Sequence, residues 1–189
     1  PIYAMPSTSR RPASGLSSPA IMRSKVVLPA PSGPTRAVSS PARIVNVSSD
    51  AHQGGQLNLD DVEFRQGYGI GWQPYAHSKL ANVMFTYELA RRLPTGRVTA
   101  NVLHPGFVAS KFGHNNAGVA SVALKAISRL VAISPEKGAQ TSIYLASSPE
   151  VEGVTGKYFI NCKPKPSTRA SYDTAAAQRL WDLTLGMVG

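Results

Sequence analysis

Three short runs rich in β-branched and aromatic residues, RIVNVSS (43–49), VTANVLHPG (98–106) and GKYFIN (156–161), alternate along the chain with stretches of helical periodicity. Strands separated by helices do not close as hairpins. Each returns to the sheet by a crossover, so the strands pair in parallel and the helices cover the faces. The expected fold class is therefore α/β, a layered sandwich, with RIVNVSS as a buried strand. Tyr75–Leu93 is predicted as a helix, with Leu80, Val83, Met84, Tyr87 and Leu89–Ala90 near one face and Arg91 and Arg92 favourably placed in its last turn. PTGR turns the chain into the second strand. Val119–Ile133 reads as helical, SPEKGAQTSIYLASSPE opens with Ser134 as a cap and Pro135 at the first helical position, and TAAAQRLWDLTLGMV closes the chain as a helix. Residues 50–74 read as a long loop.

Residues 1–42 have another texture. They hold eight of the fifteen prolines, nine serines and five bases without one acid. Prolines remove backbone donors and break helices, and little apolar surface is present to offset the ordering entropy, so the segment is expected to be disordered. An organelle transit peptide or translation in a non-native frame are the alternatives. The chain starts at Pro1 and its nearest Met is Met5, as in a fragment, a processed chain or an unusual gene model. Two domains of description result: 1–42, and a folded domain over 43–189.

The formal charge of +10 invites a nucleic-acid reading, but half of it lies in that first segment, which leaves fifteen bases against ten acids for residues 43–189. Neither a basic stripe interleaved with aromatics nor a nucleic-acid-reading motif is present, so no specific nucleic acid is expected as a partner. No apolar run approaches the roughly 20 residues that span a bilayer. Cys162, the single cysteine, excludes an internal disulfide and fits a reducing compartment, with a small buried apolar side chain as its expected role. A cytoplasmic location follows, with organelle targeting as the alternative.

The chemistry resides in YAHSKLANVMFTYELARRL. Tyr75 and Lys79 are four residues apart, so on a helix they share a face and reach one pocket. A phenol is a poor acid or base near neutral pH, and a neighbouring cation that stabilises the phenolate fits it for proton transfer to or from a carbonyl or alcohol oxygen. The spacing alone also fits an ordinary surface pair. Its setting adds weight: Ser49 stands at a strand end just before the loop leading to this helix, the next strand ends in HPGFVAS, and ligands bind at strand C-termini in open α/β sheets.

In RIVNVSS, YAHSKLANVMFTYELARRL, HPGFV, SPEKGAQTSIYLASSPEVEGVTGKYF and the terminal RLWD, in this order, the chain resembles the short-chain dehydrogenase/reductases, and within them the retinol-dehydrogenase-like group. The resemblance covers nearly all of residues 43–189 and implies the C-terminal part of a Rossmann-type three-layer sandwich. By it, Ser49 would polarise the substrate carbonyl and Tyr75 would be the general acid/base. Lys79 would stabilise the Tyr75 phenolate and bind the nicotinamide ribose, with Tyr75 also against the cofactor. Pro105, Gly106 and Val108 would line the nicotinamide, and Ser110 would lie near the pyrophosphate. The implied cofactor is NADP or NAD, NADP by family analogy. The implied substrate is a small lipophilic alcohol or carbonyl compound, and a homodimer is implied by analogy.

The family also opens with a strand and a G-x-x-x-G-x-G turn that holds the pyrophosphate at a helix N-terminus. Residues 1–42 contain no such turn and no Asn for the family's proton relay. GYGIG (67–71) has no strand before it, and NNAG (115–118) falls after the Pro-Gly turn instead of before the catalytic Ser. The alternative function is accordingly a truncated, inactive chain, and a third is a basic tail that binds nucleic acid or an anionic membrane. His52, His77, His104 and His114 show no metal-ligand spacing and read as structural, so no metal is expected. Asp60, Asp61 and Glu63 read as solvent-facing, and Leu180 and Trp181 as core or subunit-interface anchors.

Overall fold

The computed structural model describes residues 42–67, 72–108 and 133–188. The helix predicted at 119–133, apart from Ile133, lies outside them, as do Ser110, NNAG and most of GYGIG. The elements run β1 (Ala42–Val47), a 3-10 turn (Asp50–Gly54), α1 (Trp72–Arg92), β2 (Val98–His104), α2 (Pro135–Ser147), a 3-10 turn (Pro149–Val151), β3 (Tyr158–Ile160), β4 (Lys163–Lys165), a 3-10 turn (Arg169–Tyr172) and α3 (Thr174–Val188). The sheet order is β1-β2-β3-β4. β1 and β2 pair in parallel with Ala42 opposite Val98, β2 and β3 in parallel with Val102 opposite Tyr158, and β3 and β4 antiparallel.

The period-2 alternation of β2 assigns the two faces. Val102 joins Val83, Tyr87 and Tyr158 beneath α1, whereas Leu103 joins Leu145, Val151 and Phe159 beneath α2. Helices therefore cover both faces of a parallel-rich sheet, the three-layer α/β arrangement expected of a Rossmann-type domain. α1 also carries α3, through Leu80, Ala81 and Met84 against Ala177 and Leu180. Its buried face is wider than its leucines suggest, because Thr86 and Glu88 are enclosed and Leu89 and Ala90 are only half-buried. The helix begins three residues before Tyr75, with Pro74 in the first turn where a missing N–H leaves no intrahelical bond unmade.

β4 has no counterpart in the sequence reading. LysProLys is short and polar, and its strand exists because Asn161 (φ 50°) and Cys162 (φ 60°) form a tight two-residue turn with both residues left-handed, as the right-handed twist of a hairpin requires. Cys162 is thus half-exposed at a turn rather than buried as expected, with its N–H donating to Thr141 Oγ1 (3.2 Å). Ser134 caps α2 by accepting from the Lys137 N–H (3.3 Å), with Pro135 next, as the sequence implies. The other end of α2 is tied to β1 by Arg43, whose Nη1 donates to the carbonyls of Ser148 (2.7 Å) and Leu145 (3.3 Å), a cation at a helix C-terminus.

Candidate active site

The C-terminal ends of β1 and β2 and the first turns of α1 come together here. β1 stops at Val47, and Ser48 and Ser49 diverge as successive extended residues must. Ser48 is buried and its Oγ donates to the Lys79 carbonyl oxygen (2.8 Å), which pins α1 to the strand end. Asn82 Nδ2 adds a bond to the Val47 carbonyl (3.2 Å). Ser49 is only half-buried, and its Oγ accepts from the Ala51 N–H (3.2 Å) as the cap of the 3-10 turn. A hydroxyl used as an acceptor keeps its own proton to donate.

That turn rests directly on α1. A Cβ at Gly55 would lie 2.7 Å from the Ala76 carbonyl oxygen and 2.9 Å from Leu80 Cβ, so only glycine lets the two backbones approach so closely. Ala76 is the neighbour of Tyr75. One turn further on, Lys79 Nζ lies over the Tyr75 ring, 5.4 Å from its centroid, and the Trp72 ring is tilted against Tyr75 with centroids 5.6 Å apart. Burial pushes the Lys79 ammonium below its ordinary pKa. Tyr75 and Lys79 therefore share a helix face as the spacing implies, and the Ser49 turn packs on the same part of that helix.

At the end of β2, Gly106 has φ +89°, and a Cβ there would meet Ile133 Cδ1 at 2.7 Å. Phe107 accepts through its carbonyl from the Ile133 N–H (2.8 Å), and Val108 bridges to Ile133. Pro105 and Gly106 thus leave the strand end beside the Ser49 turn, while Val108 is drawn toward the start of α2.

Two histidines hold the turn. His52 is fully buried, with Nδ1 2.7 Å from the Ser49 carbonyl oxygen and Nε2 accepting from the Thr168 N–H (3.2 Å). The two bonds together assign a neutral ring protonated at Nδ1. His104 Nδ1 accepts from the Asp50 N–H (3.1 Å), and burial, partly countered by Asp50, lowers its pKa. Single-residue signals could not find these partners, nor Ser48; the doubled serine of VNVSS was the only hint. His77 stacks on Phe64 with centroids 5.1 Å apart, while His114 lies outside the described residues. No cluster of three potential metal ligands occurs among the described residues. No described helix is long and apolar enough to cross a membrane.

No protein-family model matches the chain. Curated relatives do. Human retinol dehydrogenase 14 is 46% identical over 155 residues, covering 80% of this chain and 45% of that protein. Human retinol dehydrogenase 13 is 39% identical over 155 residues, covering 80% and 47%. Human polyprenol dehydrogenase is 40% identical over 150 residues, covering 78% and 45%. A crystal structure of an uncharacterized protein from Mycobacterium Paratuberculosis superposes with a TM-score of 0.53 at 30% identity, covering 75% of this chain and 48% of that one. With an α/β sheet of this order, a Tyr–Lys helix beside a serine turn and relatives of this kind, the chain is similar to the short-chain dehydrogenase/reductases, and among them to the retinol-dehydrogenase-like group. It spans about half the length of the curated relatives it matches.

Proposed function

We propose that the chain carries the substrate side of a short-chain dehydrogenase active site, in which Ser49, Tyr75 and Lys79 handle the proton while hydride moves between NAD(P) and an apolar alcohol or carbonyl compound. The observation that carries this reading is the placement of Lys79 Nζ over the Tyr75 ring, on the helix turn against which the Ser49 loop packs. Bound nicotinamide would supply or accept the hydride. The donor set suits its ribose half: the Lys79 ammonium and the Tyr75 phenol share one face of α1, and the family resemblance would put the Pro105–Gly106 turn against the nicotinamide. Ser49, keeping its proton, donates a hydrogen bond from its hydroxyl to the substrate oxygen, which raises the electrophilicity of the carbonyl carbon. Tyr75 delivers its proton to that oxygen in reduction and removes it in oxidation. Lys79 stabilises the phenolate left behind. Ser110 near the pyrophosphate, NADP in preference to NAD, a homodimer, a cytoplasmic location and a folded domain over 43–189 belong to the same proposal by family analogy. Relatives named for retinol and polyprenol support a lipophilic substrate.

The test is titration of the purified 189-residue chain with NADPH and NADH, followed by nicotinamide fluorescence. Saturable binding, with turnover of an apolar aldehyde that Tyr75→Phe abolishes while binding persists, is the expected result. Near-normal turnover in Tyr75→Phe would sink the assignment of Tyr75. No binding at millimolar nucleotide would favour the second reading, a chain that keeps the proton-transfer residues without cofactor binding; that reading draws on the lack of a Gly-rich turn in residues 1–42.

A further inference from the structure

We infer that His104 is a positioning residue that holds the Ser49-bearing turn in register with the end of β2, acting only in its neutral form through the Asp50 N–H. The inference rests on the proposed role of Ser49 and extends it to a residue that touches neither substrate nor cofactor.

Ser49 stands outside the strand that precedes it, because β1 ends at Val47, so its position depends on the bonds of the 3-10 turn. Within the turn, the Ser49 carbonyl accepts from the His52 N–H (3.1 Å) and from His52 Nδ1 (2.7 Å), and the Ser49 hydroxyl takes the Ala51 N–H (3.2 Å). These bonds shape the turn but do not tie it to β2. The Ser48 N–H donates to the Leu103 carbonyl (2.7 Å), where the ladder ends. Beyond it, the bond from the Asp50 N–H to His104 Nδ1 (3.1 Å) is the link from the turn to β2. His104 is also the residue before Pro105 and Gly106, so one side chain couples the Ser49 turn to the strand end proposed to face the nicotinamide.

An imidazole nitrogen accepts only when it carries no proton. Protonation of His104 would set an N–H against the Asp50 N–H and break the link. The ionisable groups facing His104 are Asp50, which favours the charged ring, and His52, which would disfavour it only if it carried a charge of its own; burial disfavours it most. The link is therefore intact at neutral pH and is lost as pH falls below the ordinary histidine value of 6.5.

The experiment is a pH titration of the full chain by two-dimensional amide NMR, with His104→Asn and His104→Leu. An Asn Oδ1 occupies the place of Nδ1 and accepts without titrating. In the wild type, the Asp50 amide proton should lie downfield at neutral pH and move upfield with the midpoint of the His104 ring, and the Ser49 and Ala51 amides should follow it. In His104→Asn it should remain downfield throughout, and in His104→Leu it should be upfield at every pH. Under the assay above, kcat of the wild type should fall with the same midpoint, His104→Asn should lose that pH limb, and His104→Leu should lose roughly 10- to 100-fold in kcat with little change in KM. Asp50 and Ser49 amides that ignore the His104 titration would overturn the inference, and so would a His104→Leu chain whose kcat and Asp50 shift match the wild type. If His104→Leu does not fold, the wild-type and His104→Asn titrations decide alone. The expected amide shifts without wild-type turnover would overturn the dehydrogenase reading and uphold the link.

Discussion

At the scale of single residues, Glu88 shows how far the structure departs from a helical-wheel reading. It is 2% exposed on α1, yet it is charged, because Arg91 and Arg92 close on it from the following turn with ion pairs of 2.5 and 2.6 Å. The arginines' place in the last turn suits the helix dipole, but the partner they close on is this carboxylate. Arg92 in turn lies over the Trp181 ring at 4.8 Å, and Trp181 stacks on Phe85 with centroids 5.2 Å apart, so Trp181 is an intramolecular anchor between α1 and α3. Replacing Glu88 by Ala should destabilise the fold by about 1–3 kcal/mol in chemical denaturation, at the lower end of what breaking a buried pair costs because both arginines can turn to water. Desolvation works to raise the Glu88 pKa, but hydrogen bonds and attraction from Arg92 and Arg91 prevail and hold it below its ordinary value of 4.5. The sign follows: a depressed carboxylate stabilises fully above its unfolded pKa, and the contribution is withdrawn as pH falls through the folded one. Acid denaturation of the wild type should therefore show a steeper loss below that value than Glu88→Gln does. Asp60 faces solvent as expected, and from the surface its carboxylate pairs with Arg179 of α3 at 2.5 Å.

At the scale of elements, close backbone approach matters more than propensity. Gly55 lets the Ser49 turn lie on α1, and a methyl there would stand 2.7 Å from the Ala76 carbonyl oxygen, which cannot move without disturbing the helix. Gly55→Ala should cost about 1–3 kcal/mol of stability, the range of overpacked sites, and should reduce turnover beyond what its stability loss explains, because the turn carrying Ser49 must lift from the helix carrying Tyr75. Thermal melts and kcat measured well below the melting temperature separate the two effects. α1, α2, α3 and the three parallel strands were legible in the sequence because each has a periodic apolar pattern or a cap, as Ser134 and Pro135 do for α2. β4 was not, because Lys163, Pro164 and Lys165 carry no pattern and the strand is created by its turn. The stretch 50–74, expected to be a long loop, is partly structured for the same reason: the 3-10 turn at Asp50–Gly54 is held by hydrogen bonds that Ser49 accepts from Ala51 and His52, which have no periodicity to detect.

At the scale of the whole molecule, the two edges of the sheet differ. β4 ends it with two lysines and a proline, which repel or fail to bond an approaching strand. β1 has none of these devices at its centre, and Val47 is 48% exposed. Among the described residues β1 pairs only with β2. The full chain should therefore self-associate with rising concentration in sedimentation velocity, and Val47→Lys should shift the distribution toward monomer. A concentration-independent monomer in the wild type would mean that residues of the same chain cover this edge.

The sequence by itself determined the layered α/β class, the order of its main elements and the pairing of Tyr75 with Lys79, because these depend on local periodicity and on residues one helical turn apart. Only the tertiary structure decided which of the two serines faces inward, what holds Ser49, why Glu88 is buried and which edge of the sheet is protected. Those outcomes depend on contacts between residues far apart in the chain: Ser48 with Lys79, His104 with Asp50, His52 with Thr168. A hydrogen bond of that kind is set by where two elements pack, and no local pattern encodes it.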